Sequence, residues 1–234
     1  MKTKLFFFSF ILLGLMGLNQ ARAEEQNRDV PSFSEISMRV SGKVYLEQGD
    51  RQSVRIVASQ STLDEIVTEV KDRSLIIRFK SNNLFMRSFN PGKIEIYVTV
   101  PEINALSVSG SGDITASNEI KSRILDLSVS GSGNISFDQL VADRVKAGIS
   151  GSGNVTVDSG RSEDLTISVS GSGSFKGSDF KVRTVDARIS GSGNCTVHAG
   201  ESLKARVTGS GNVTYSGNPM VDTSVVGSGR VKKL

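Results

Sequence analysis

One cysteine, Cys195, one histidine, His198, and no tryptophan stand among 234 residues. A lone cysteine excludes an intramolecular disulfide framework and a multi-cysteine zinc site. No serine has glycine two residues before and two after it, so there is no nucleophile elbow. No glycine run is followed by Lys-Ser or Lys-Thr, so there is no phosphate-binding P-loop. Hydrophobic residues make up 37% and charged residues 22%, too apolar for a disordered tail. After the first twenty residues no apolar run is long enough to cross a bilayer.

The exception comes first in the chain. Lys2 and Lys4 precede an apolar stretch from Leu5 to Leu18, and Ala21-Arg22-Ala23 supplies a small-x-small cleavage signal. Residues 1–23 therefore read as a secretory signal peptide, with an apolar core shorter than the ~20 residues a spanning helix needs. The chain is formally +4, and Lys2, Lys4 and Arg22 account for three of those charges with no acid among them. The mature part is then close to neutral, which leaves no electrostatic footprint for nucleic acid. The expected location is outside the cytoplasm: periplasm, cell surface or secreted. No stable membrane span is expected after cleavage.

Glycine is plentiful, and it is ordered. Gly-Ser-Gly recurs at 110, 131, 151, 171, 191, 209 and 227, at spacings of 21, 20, 20, 20, 18 and 18. A fixed period near 20 marks a repeat architecture. Aligned on the first glycine, Val108, Val129, Ile149, Val169, Ile189, Val207 and Val225 form one column. Ile114, Ile135, Val155, Phe175, Cys195, Val213 and Val231 form another. These columns share one parity and the polar residues take the other, as on strands with one buried face. A 20-residue unit cannot bury that face alone, whereas stacked units line a continuous interior. The expected fold is all-β: a parallel β-solenoid, or β-helix, of about seven GSG-marked rungs over 103–234, preceded by a β-rich capping region over 24–102.

Other columns refine the expectation. The glycines need either a positive φ at a corner or an interior too narrow for a Cβ. Cys195, in an apolar column, reads as a buried small hydrophobe. Asp126, Lys146, Thr166, Asp186, Lys204 and Asp222 place opposite charges on neighbouring rungs. Length differences between repeats all fall between the Phe137 and Val145 positions, which reads as a loop edge. Lys232 and Lys233 charge the last strand, which discourages end-to-end stacking. Before the repeats, short β-rich runs between Ile36 and Val100 suggest a meander or sandwich-like sheet continuous with the solenoid. Ser61 to Glu65 suggests one helical turn. Leu84, Phe85, Met86 and Phe89 read as an apolar plug on the core, or else a partner contact.

The ordered string Phe33 to Ile36, Val44-Tyr-Leu-Glu-Gln-Gly49, Ser74-Leu-Ile-Ile-Arg78, Ile94 to Pro101, then GSGDI and repeated GSGN resembles the auto-transporter adhesin head GIN domain family over about residues 33–225. That family is common in exported proteins of Bacteroidetes-type bacteria. The resemblance implies an all-β repeat fold, one head domain over 33–225, and no established activity. No residues remain for a membrane β-barrel of this chain's own.

Chemistry has few candidates. Asp138, Asp158, Ser178 and His198 take the same place in successive repeats, and paired carboxylates serve glycoside cleavage. Asp and Ser also begin turns by bonding nearby backbone. Asp113 after GSG resembles a calcium-turn residue, but later repeats carry Asn, Ser or Arg there. Asn-x-Ser/Thr at Asn134, Asn154, Asn194 and Asn212 follows from strand alternation and is not read as glycosylation. The outward Ser, Asn and Thr read as polar ladders between rungs, and no outward aromatic stripe is evident. No cofactor or metal is expected. The expected function is a non-enzymatic, adhesin-like binding or structural module contacting surface polysaccharide, host glycan or an envelope protein. The alternatives are a polysaccharide-active enzyme using Asp138, Asp158 or His198, and a small-ligand or lipid-binding protein. Oligomeric state is left open.

Overall fold

A computed structural model describes residues 23–80 and 90–234. The leader segment up to residue 22 and the run Leu84, Phe85, Met86 and Phe89 lie outside the described residues.

The repeats wind as a stacked series of parallel strands. They are β8 (Ala105–Gly110), β9 (Asp113–Gly131), β10 (Asn134–Gly151), β11 (Asn154–Val157), β12 (Gly160–Gly171), β13 (Ser174–Gly191), β14 (Asn194–Gly209), β15 (Asn212–Ser216), β16 (Met220–Gly227) and β17 (Arg230–Lys233). Each Gly-Ser-Gly lies directly over the one before: Gly110 pairs with Gly131, Gly131 with Gly151, and so on to Gly209 with Gly227. The seven tripeptides thus bound six turns. Val108, Val129, Ile149, Val169, Ile189 and Val207 are stacked and buried, as are Ile114, Ile135, Val155, Phe175, Cys195 and Val213. Burying each such side chain is worth ~1.5–3 kcal/mol, which is what holds so glycine- and serine-rich a chain in one conformation. The charged column is in register too, with Lys146 beside Asp126 and Lys204 between Asp186 and Asp222. The ion pair of Asp186, however, is with Arg188 of its own strand at 2.7 Å.

The two glycines of each tripeptide do different work. The first glycines, from Gly110 to Gly227, have φ between +105° and +119°, a corner conformation that L side chains rarely adopt. The second is buried under close backbone contact. A Cβ on Gly193 would lie 2.6 Å from the Gly173 carbonyl oxygen and 2.6 Å from Val169 Cγ1. Both reasons expected for the glycines apply: the second meets the close approach alone, and the first, from Gly131 on, meets it as well as the corner φ, with a Cβ on Gly131 falling 2.6 Å from the Gly110 carbonyl oxygen.

The stretch expected as a loop edge is a third sheet. Burial follows Ile135 and Phe137, then Leu140 and Ala142, then Val145, Ala147 and Ile149. The parity breaks twice, so the rung has two further corners and three faces. Leu140–Ala142 pairs in parallel with Glu119-side residues Ile120–Ser122 below and with Gly160–Ser162 above. Backbone polar groups this near the core need ladder partners, and a short strand supplies them. The shorter repeats trim this face: His198 and Ala199 pair with Lys181 and Val182 after a register shift. We call the strand entering each Gly-Ser-Gly face A, the strand leaving it face B, and the short third strand face C.

The N-terminal part is more than a meander, because two further rungs lie within it, out of chain order. Its elements are β1 (Ala23–Asn27), β2 (Glu35–Met38), β3 (Lys43–Gln48), β4 (Ser53–Ser59), α1 (Gln60–Glu65), β5 (Ile66–Lys71), β6 (Ser74–Phe79) and β7 (Glu95–Val100). β2 lies between β6 and β8 on face A, and β3 between β7 and β9 on face B, all parallel. The β2–β3 rung is therefore inserted between a later rung and the repeats. It has no face C strand, since the chain leaves after Gln48. The Gln48 amide fills the gap as a peptide would: Nε2 donates to the carbonyls of Pro101 and Lys121, both at 3.0 Å, and Oε1 accepts from Lys121 N–H at 2.8 Å. β1, β4 and β5 add antiparallel at this end, and α1, the expected helical turn, buries Thr62 and Leu63 against it.

Two outcomes follow. Gly193→Val is expected to cost about 3 kcal/mol in a urea unfolding series, against roughly 0.5 kcal/mol or less for the exposed Ser192→Val beside it. Burial pushes the Cys195 thiol up to about 12. A thiol reagent at neutral pH is therefore expected to label the protein only under denaturing conditions, as read by intact mass.

Candidate functional site

Face B carries the most ordered polar surface. Its outward residues form two parallel columns. In one, Asn134 Nδ2 donates to Asp113 Oδ1 at 2.7 Å, Asn154 Nδ2 to Asn134 Oδ1 at 2.8 Å, and Asn212 Nδ2 to Asn194 Oδ1 at 3.1 Å. The second runs Thr115, Ser136, Thr156, Lys176, Thr196, Thr214 and Lys232. Ser136 Oγ bonds Thr115 Oγ1 at 3.1 Å. These are the expected inter-rung ladders, and they occupy the asparagines that a glycosylation reading would use.

At the N-terminal end the second column becomes aromatic. Tyr45 of β3 stands over Thr115, and Tyr97 of β7 over Tyr45. Their rings stack with centroids 5.0 Å apart and planes at 16°. Arg55 of β4 covers the far face of Tyr97 at 4.1 Å, and the Lys43 ammonium lies 5.1 Å from the Tyr45 centroid. Alternation places them outward: Val44 and Leu46, like Ile96 and Val98, are buried, so the tyrosines between them face solvent.

Two clefts flank this stack. One, of about 280 Å³, has Lys43, Tyr45, Lys93, Glu95 and Asp113 on its walls. The other, of about 370 Å³, is walled by Asn27, Tyr45, Glu47, Ser53, Arg55 and Tyr97. Tyr45 O–H donates to Glu95 Oε1 at 3.2 Å, and Lys93 Nζ lies 3.0 Å from the same oxygen. The Lys93 hydrogen bond, with Tyr45 behind it, holds the Glu95 carboxyl below its ordinary range, while desolvation and then Glu95 raise Tyr45. At neutral pH the Tyr45 phenol is neutral and Glu95 is a carboxylate paired with the Lys93 ammonium.

The carboxylate candidates are placed differently. Asp138 and Asp158 do fall on adjacent rungs, as Phe137 pairs with Val157 and Asp158 N–H bonds the Phe137 carbonyl at 2.9 Å. Both are exposed at the corner between faces B and C, and neither walls any of the described clefts. Ser159 Oγ donates to the Asp138 carbonyl one rung below at 2.7 Å. Ser178 bonds its neighbour Asp179. His198 leaves the column: a bulge across Ser178 to Phe180 sets it beside Lys181, with Nδ1 3.0 Å from Ser216 Oγ. Among the described residues no three of His, Cys, Asp and Glu are grouped to hold a metal ion.

The model of the family described as "Putative auto-transporter adhesin, head GIN domain" matches residues 32–219. The chain belongs to this family. Among solved structures, one from Bacteroides fragilis described as a putative adhesin superposes with a TM-score of 0.83 at 24% identity, over 91% of this chain and 97% of that one. One from Parabacteroides distasonis described as a putative lipid binding protein has a TM-score of 0.77 at 24% identity, over 92% and 98%. A further putative adhesin from Parabacteroides distasonis has a TM-score of 0.71 at 26% identity, over 92% and 98%. No curated protein matches the chain. The solenoid with its β-rich cap is thus the fold of this head GIN chain and of its solved neighbours.

Sequence reasoning missed the tyrosine stack, since Tyr45 and Tyr97 are far apart in the chain and lie outside the 20-residue period. A signal was present. Lys43-Val-Tyr-Leu-Glu47 and Glu95-Ile-Tyr-Val-Thr99 share one alternation, with tyrosine between two buried aliphatics.

Glu95 yields a direct check. A carboxyl held low keeps its contacts through neutral and mildly acidic pH, and loses them only as pH falls below the ordinary carboxylate range. The NMR titration of the Glu95 side-chain carboxyl is expected to have its midpoint below that of a free glutamate, and Lys93→Ala is expected to move it upward.

Proposed function

We propose that this protein is an exported, non-enzymatic, adhesin-like module, and that the Tyr45–Tyr97 stack with its two clefts is where it meets a hydroxyl-rich ligand such as a glycan chain. Membership of the head GIN family supports an adhesin-like role at the cell surface, and the signal-peptide reading of residues 1–23 supports export. Face B supports a binding rather than a chemical role, because its ladders hold a flat, regular surface leading into the clefts.

One observation carries the reading: an outward, stacked aromatic pair with clefts on both sides walled by hydroxyl, amide, carboxylate and cationic groups. Tyr45 and Arg55 cover the two faces of Tyr97, so a ligand would meet ring edges, the phenol oxygens and the groups around them. Mixed charge signs with many neutral donors and acceptors suit a polar, largely uncharged partner. Asp138 and Asp158, at an exposed corner away from these clefts, offer a substrate no enclosure that would orient it or exclude water. A solved neighbour is described as lipid binding. Here Phe137, Phe175 and Phe180 are fully buried along with the aliphatic columns, so a lipid tail would have to displace packed core.

Glycan-array binding of the purified protein tests the proposal. Tyr97→Ala and Arg55→Ala are expected to weaken a bound glycan by about tenfold or more, while Asp138→Asn leaves it unchanged. Release of cleaved products from a glycan panel, abolished by Asp138→Asn, would replace the binding module with a hydrolase.

A further inference from the structure

The rung formed by β16 and β17 has one edge unpaired among the described residues. Among the described residues β16 pairs with β14 alone, so its other backbone edge is open. Val221 and Val225 continue the buried columns of Leu203 and Val207, yet they are 42% and 40% exposed. On the opposite side of the same strand Met220 and Val226 are 79% and 65% exposed. Such a strand is a template for another strand. At the other end of the solenoid, β1, β4, β5 and α1 close the core.

We propose that this edge is a dimer interface, with β16 pairing antiparallel to β16 of a second copy about a twofold axis at Thr223. The strand is self-complementary there. Directly opposed residues of an antiparallel pair project to the same side. With Thr223 on the axis, Val221 meets the partner's Val225 on the core side, and Met220 meets the partner's Val226 on the outer side. Asp222 meets the partner's Ser224. Every apolar side chain of the strand is matched with another, and its single charge opposes a hydroxyl. Neighbouring registers fail. An axis at Asp222 sets the two aspartates against each other, and one at Ser224 sets Asp222 against an exposed valine. An axis between residues opposes core-side to outer-side positions.

Charge selects this arrangement over other end contacts. Arg230 and Lys232 of β17, with Lys233, would repel if β17 lay on β17 of the second copy. A twofold through face A instead carries β17 over the partner's face C, where Ser216-Gly-Asn-Pro219 has no charge. The terminal lysines thus disfavour β17 on β17 while leaving this one orientation free. The pairing ends at Met220 and Val226, before the Gly227 corner, so it avoids a position that accepts only glycine above it. Because the contact is isologous it closes at two copies and does not grow. It is independent of the glycan reading, but it would set two Tyr45–Tyr97 sites at opposite ends of one particle, where two weak contacts become one strong attachment.

Sedimentation of the purified protein over a concentration series tests the proposal. Wild type is expected to be a dimer. Val226→Lys and Met220→Glu, both at outward exposed positions, are each expected to weaken it by about tenfold or more with the melting temperature retained. The double variant M220E/V226K sets opposite charges across the axis from each other and is expected to restore the dimer, in a salt-sensitive form. A wild type that stays monomeric throughout the series, an open-ended polymer, a dimer indifferent to Val226→Lys, or a double variant that remains dissociated would each overturn it.

Discussion

The close stacking of glycine on glycine at one corner is the constraint from which the rest of this structure follows. A peptide carbonyl of one rung points at the Cα of the next with no room for a side-chain atom between them, and the preceding glycine turns the chain with a φ that other residues resist. Neither requirement can be met by a neighbour's adjustment, since backbone meets backbone. A one-residue slip would place a serine where a glycine must be. The corner thus indexes every rung to the one below, and the aliphatic columns, asparagine ladder and threonine column inherit their alignment from it.

That alignment explains why so much surface polarity is tolerable. Asparagines one rung apart stand at the spacing of a parallel sheet, so the amides of Asn134, Asn154 and Asn212 each donate to the residue one rung below instead of competing for the backbone. The interior does the complementary task. Phe137, Phe175 and Phe180 are fully buried among the aliphatic columns. A solenoid packed in this way has little interior to offer a ligand, which turns attention to its faces and ends.

Both proposed sites arise where the repeat is interrupted. The tyrosine stack exists because β2 and β3 insert as a rung between β6–β7 and β8–β9, which brings two tyrosines distant in the chain onto neighbouring strands. Gln48 shows how the interruption is tolerated: its amide takes the hydrogen bonds that a missing face C strand would have made. At the far end, among the described residues, Val221 and Val225 hold core positions at 42% and 40% exposure on a strand paired along one edge only.

The columns, the period, the buried cysteine, the polar ladders and the family resemblance were all legible in the residues, because each depends on parity and on contacts one turn apart. Face C was not legible as a strand. Its parity breaks at corners, and its length varies from rung to rung, so it looked like a loop. His198 seemed to share a column with Asp138 and Asp158 because counting from the glycine ignores the bulge that moves it beside Lys181.

Sequence alone determined that stacked turns would form, which residues would face inward, and that the glycines could not be replaced. All of these follow from local geometry repeated at a constant interval. Only the tertiary structure decided the order in which the N-terminal strands are threaded and the meeting of Tyr45 with Tyr97. Those depend on pairings between distant segments with no repeat to announce them, where several topologies would satisfy the same alternation of buried and exposed residues.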